Sequence, residues 1–66
     1  MFNPNTFIIE TETLYHQDNQ GQRKGQFYYN RFRKLFPNLR IPDSVDCFYD
    51  DKKLSEFVEF VFNVTL

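Results

Sequence analysis

The chain has 66 residues with nine Asp/Glu, eight Lys/Arg, one Cys and one His, a length that makes one domain at most. A single cysteine and a single histidine exclude an internal disulfide and a Cys/His zinc set, so neither staple is available to a chain whose size leaves it marginally stable. Nine Phe and four Tyr, 20% of the residues, take their place: each buried aromatic withdraws ~150–250 Å² from water, and an aromatic core within a single domain 1–66 is expected.

Residues 6–16 are rich in Ile, Thr, Phe and Tyr, and Glu10, Thr11, Glu12 and Thr13 form a polar centre, which predicts a strand exposed on one side. Residues 17–25 are polar and hold both glycines, Gly21 and Gly25, and read as a flexible loop. Over residues 26–36, Tyr28, Phe32, Leu35 and Phe36 share one helical face, Arg31, Arg33 and Lys34 fall off it, and Pro37 supplies a stop. A helix is predicted there. Its rival is a second strand, because Phe27-Tyr28-Tyr29 has high β propensity.

Residues 37–43 are bracketed by Pro37 and Pro42, which cannot continue a helix. Residues 45–49 follow as a short predicted strand ending at Asp50-Asp51. The terminal segment fits two periods. Leu54, Phe57, Val58 and Val61 suit a helix capped by Asp50 or Asp51, whereas Val58, Phe60, Phe62, Val64 and Leu66 alternate as in a strand. A helix would be apolar nearly all round, so a helical turn over 51–55 and a strand over 56–66 are predicted. The expected fold is α+β: a small antiparallel sheet, in the order strand-helix-strand-strand, with one helix packed on one face.

Charge is segregated along the chain. Residues 19–42 carry Arg23, Lys24, Arg31, Arg33, Lys34 and Arg40 and no acid, while the flanking segments are acidic and the net charge is −1. Three readings follow. The basic helix lies over the acidic strands of its own fold, where exposed pairs contribute ~0–1 kcal/mol each. Alternatively, Arg23, Lys24, Arg31, Arg33, Lys34 and Arg40, with Tyr28 and Tyr29 beside them, form a basic-aromatic face for an acidic protein surface. The same face could instead hold nucleic acid, since guanidinium groups fork onto phosphate and rings stack on bases. Net acidity places protein ahead of nucleic acid.

If residues 56–66 form a strand, one face packs on the helix and the other shows Phe57 and Val61. Phe57, Val61, Phe60 and Phe62 are therefore the expected self-association residues of a homodimer, unless the loops or Met1-Phe2 cover them.

No catalytic residue is assigned. Cys47 and His16 are single copies in different predicted strands, and a buried strand cysteine behaves as a small hydrophobe. Asp43, Asp46, Asp50 and Asp51 lack the spacing of a calcium loop, and Glu10 and Glu12 are ordinary for an exposed strand face. No metal or cofactor is expected. Neither a secretion signal nor a membrane span is read, the Asn63-Val64-Thr65 sequon is taken as chance, and the lone thiol suits a cytoplasmic location. The expected function is that of a non-enzymatic protein-binding module, a stoichiometric inhibitor or adaptor of the type used by viruses and mobile elements. The alternative is a small nucleic-acid-binding protein using the same basic-aromatic segment.

Overall fold

In the computed structural model, which describes residues 1–64, Asn3 caps the first helix by accepting a hydrogen bond from the Thr6 amide at 3.2 Å. Pro4 occupies its first turn, where a missing N–H is no loss. Helix α1 (Pro4–Gln17) thus replaces the strand expected over residues 6–16. The threonines that favoured a strand adapt to the helix: Thr11 Oγ1 donates to the Phe7 carbonyl at 2.6 Å and Thr13 Oγ1 to that of Ile9 at 3.0 Å.

The turn after α1 places Gln20 and Gly21 at φ 54° and 76°, the left-handed region that Gly enters without steric cost. Asp18 and Asn19 brace it by accepting from the Gln20 and Gly21 amides. Helix α2 (Lys24–Leu35) follows, so the helix expected over 26–36 is present and begins two residues earlier. Residues 45–49 are no strand: a 3-10 turn at Asp43–Val45 leads into irregular chain. A second 3-10 turn at Asp51–Lys53, capped by Asp50 accepting from the Lys52 amide, runs straight into α3 (Leu54–Asn63).

Among the described residues there is no strand, so the expected α+β sheet is replaced by three helices and two 3-10 turns. Helix α3 explains the error. Phe57 and Val61 are fully buried, Leu54, Val58 and Val64 half-buried beside them, and Ser55, Glu56, Glu59 and Asn63 exposed. That is a helical stripe with a polar back. The alternation at Val58, Phe60, Phe62 and Val64 is incidental: Phe62 points outward at 45% exposure while Phe60 is half-buried. Thr65 and Leu66, which ended the expected strand and completed the sequon, lie outside the described residues.

Phe32, fully buried on α2, is the centre of the core. Its ring lies 5.0–6.2 Å from those of Phe2, Phe7, Phe36, Phe57 and Phe60, mostly edge to face. Phe2 closes the cluster from the N-terminus, and Ile41 and Cys47 pin the long connection between α2 and α3 onto it. No helix among the described residues is long and apolar enough to cross a membrane.

Candidate functional site: a cation-rimmed groove between α1 and α2

The basic residues of the middle third divide into two groups. The first is engaged within the fold. Arg23 donates to Asp51 at 3.1 Å and to the Phe48 carbonyl at 2.6 Å, tying the start of α2 to the turn before α3. Lys24 donates to Glu12 at 3.0 Å. The same carboxylate accepts from the Tyr28 hydroxyl and lies 2.9 Å from His16 Nε2. Three partners hold Glu12 down to about 2, with the Tyr28 hydrogen bond the largest cause and Lys24 next. Tyr28 is pushed up from the usual phenol range by its burial and by that bond. Tyr28 is therefore buried at the helix–helix contact, and its expected place on a binding face is corrected.

The second group is paired less closely with carboxylates, Arg31 making one long ion pair to Glu10. Arg31 Nε donates to Thr11 Oγ1 at 2.9 Å, its guanidinium lies over the Phe7 ring, and its nearest carboxylate, Glu10, is 3.9 Å away. Arg33 donates to the Leu39 carbonyl at 2.9 Å and to the Tyr29 hydroxyl at 3.0 Å, both neutral acceptors, and its cation lies over the Tyr29 ring. Among the described residues Lys34 and Arg40 make no ion pair. Tyr29 is half-buried against Phe48 and Phe57, so its ring offers no free stacking face.

Arg31, Arg33 and Lys34 line a groove of ≈ 870 Å³ between the C-terminal half of α1 and the outer side of α2. Its floor is apolar, with Leu14 and with Phe27, whose ring packs edge-on to Tyr15 at 5.5 Å. Gln17, Gln20, Gln22 and Asn30 supply amides along it, and Asp18 is its one carboxylate. The volume lies in the ~300–1,000 Å³ range of ligand sites, and apolar floor with a few polar rim groups is their usual composition.

The groove brings together three of the expected partner-binding residues, Arg31, Arg33 and Lys34. Arg23, Lys24 and Tyr28 lie outside it, as do Tyr29 and Arg40. Leu14, Phe27 and the amides were missed. A signal existed: Phe27, Arg31 and Lys34 stand at i, i+4 and i+7, a second helical face beside the Tyr28–Phe32 stripe. The expected self-association set is dispersed. Phe57 and Val61 are core residues because α3 is a helix, so neither is available to a partner; Phe60 packs against that core, and Phe62 alone is exposed.

Cys47 is buried, donates to the Gly25 carbonyl at 3.1 Å, and is pushed up to about 12 chiefly by burial. Among the described residues no three His, Cys, Asp or Glu side chains converge on a metal-sized site. Comparison with protein-family models, with curated proteins and with solved structures finds no match.

Proposed function

We propose that this chain is a non-catalytic binding module that engages an acidic protein surface through the α1–α2 groove, acting stoichiometrically as an inhibitor or adaptor does. What supports this reading is that Arg31, Arg33 and Lys34 line one groove with Leu14 and Phe27, Arg31 paired at 3.9 Å with Glu10 and Arg33 and Lys34 in no ion pair among the described residues. A protein partner suits this better than nucleic acid. Tyr28 and Tyr29, the rings expected to stack on bases, are buried or packed, and an apolar lining suits an apolar anchor better than a phosphate chain. The unpaired Cys47 thiol fits a reducing compartment such as the cytoplasm.

The test is a fluorescence titration with short acidic peptides carrying one Phe, Tyr or Leu, run beside single-stranded and duplex oligonucleotides at low salt. Peptide binding that weakens in Lys34→Glu and with rising salt is expected. Binding of the oligonucleotides alone would overturn the reading in favour of a nucleic-acid binder.

A further inference from the structure

The α1–α2 groove does not end at Arg31. A second recess of ≈ 390 Å³ lies between the N-terminal half of α1 and the C-terminal half of α2, with Phe7 and Leu35 in its lining, and Arg31 lines both. On α1 the two recesses take Thr6, Glu10, Leu14 and Gln17, at successive steps of four, four and three residues, which is one face of a helix. They therefore form one valley along the helix pair, ~16 Å long from Thr6 to Gln17. Each end is an apolar seat with a bare leucine. Leu14, 38% exposed, shares one seat with Phe27, and Leu35, 53% exposed, shares the other with Phe7. The walls between the seats differ in charge. The α2 wall carries Arg31 and Lys34, and Lys34 is exposed and in no ion pair among the described residues. The α1 wall carries Glu10, 60% exposed and 3.9 Å from Arg31, and Asp18 stands at the far end. Arg33 is turned toward the Tyr29 hydroxyl and the Leu39 carbonyl.

We infer that the partner lays an amphipathic helix along this valley, with apolar side chains at i and i+7 in the two seats and an acidic residue at i+3 or i+4 between them, facing Arg31 and Lys34. This rests on the reading of the groove as a protein-docking site and extends it past Arg31. Spacing selects the helix. Phe7 and Leu14 are seven residues apart on α1, and Phe27 and Leu35 are eight apart on α2, which separates the seats by ~10–12 Å. Side chains at i and i+7 of a helix stand ~10.5 Å apart on one face. An extended chain repeats its same-face side chains every ~6.6 Å, so its positions at ~6.6 and ~13 Å fall on either side of that span. A helix seated in a groove through anchors at this spacing is a recurring mode of recognition. The unequal walls fix its rotation: the acidic flank lies on α2, and a neutral or basic flank lies toward Glu10.

Fluorescence anisotropy of the full chain with three labelled peptides of about 15 residues, a length only marginally helical alone, tests this. The first carries Leu at i and i+7 with Glu at i+3 and i+4. The second has the same composition with its second Leu moved to i+5, off that face, and the third has a central proline that breaks the helix. At low salt the first binds at least about tenfold tighter than either of the others and gains helical circular dichroism on binding. Lys34→Glu and Leu35→Ala, both at exposed positions, each weaken it at least about fivefold, and Phe62→Asp on the outer side of α3 leaves it unchanged. Leu35 lies outside the larger recess, so its effect reports on the full valley. A first peptide bound no tighter than the other two, or bound equally by Leu35→Ala, overturns the helix. If acidic peptides still bind and Lys34→Glu still weakens them, the groove reading survives alone; a wild type that binds no acidic peptide removes both.

Discussion

The Asp51 carboxylate accepts a hydrogen bond from the Gly25 amide at 3.0 Å, capping the start of α2 from 26 positions away in the chain. Arg23, the residue at the helix's own cap position, contributes no side-chain cap; its guanidinium instead holds the same Asp51 oxygen. The backbone of α2 approaches this turn so closely that a Cβ on Gly25 would stand 2.7 Å from Asp51 Oδ1 and closer still to the Cys47 carbonyl oxygen. Gly25→Ala is therefore expected to cost about 1–3 kcal/mol or more through overpacking, despite alanine's better helix propensity. Asp51→Ala should cost about 1 kcal/mol, as loss of a helix cap does. Urea unfolding of the two variants checks both values. A stabilised Gly25→Ala protein would show that the turn does not sit on α2.

Acid stability is governed in part by Glu12. Its folded value of about 2 lies below the ordinary 4.5, so the contribution is full above the unfolded value and is lost as pH falls through the window between 4.5 and about 2. Denaturant midpoints measured from neutral pH downward should drop across that window in the wild type and drop less in Glu12→Gln. At the alkaline end, the raised Tyr28 phenol should remain protonated through the ordinary phenol range, which ultraviolet titration resolves by comparison with Tyr28→Phe.

Much of the central helix was legible in the sequence, and neither of its neighbours was. In α2 the apolar spacing, the off-stripe cations and Pro37 agree with one another. In α1, β propensity from Ile, Thr and Tyr outweighed a stronger local signal, the Asn3-Pro4 cap, and tertiary packing then settled the segment as a helix. In α3 two periods coexist, and the choice turned on how much apolar surface 66 residues can bury; Phe2, Ile41 and Cys47 arriving from distant segments supply burial that no local pattern reveals. The charge map located Arg31, Arg33 and Lys34 as a cationic group. It could not tell how closely each would be paired, because the acids concerned, Asp51 for Arg23, Glu12 for Lys24 and Glu10 for Arg31, come from other elements.

Position along α3 separates core from surface within a few residues. Phe57→Asp places a charge where the side chain is fully buried and is expected to unfold a chain whose total stability is about 3–10 kcal/mol. Phe62→Asp, on the outer side, should fold with a change of about 0.5 kcal/mol or less. Circular dichroism and thermal unfolding distinguish the pair. A Phe57→Asp protein that folds as well as Phe62→Asp would contradict the burial of Phe57 in the helical core.

Cys47 is expected to report on unfolding. Burial and a pKa near 12 keep it from forming thiolate in the folded chain, so its modification by a thiol reagent should proceed only as fast as the structure opens. Labelling rates should rise with urea in step with the fraction unfolded. Rapid labelling in native buffer would contradict the packing of the 37–50 connection against α2.

Amide chemical-shift mapping on the full chain with an acidic peptide carrying one aromatic residue tests the groove most directly. The expected shifts fall on Leu14, Gln17, Phe27, Asn30, Arg31 and Lys34, follow a single saturation curve, and disappear in Lys34→Glu. Shifts confined to α3, or none at the highest peptide concentration in low salt, would contradict docking between α1 and α2.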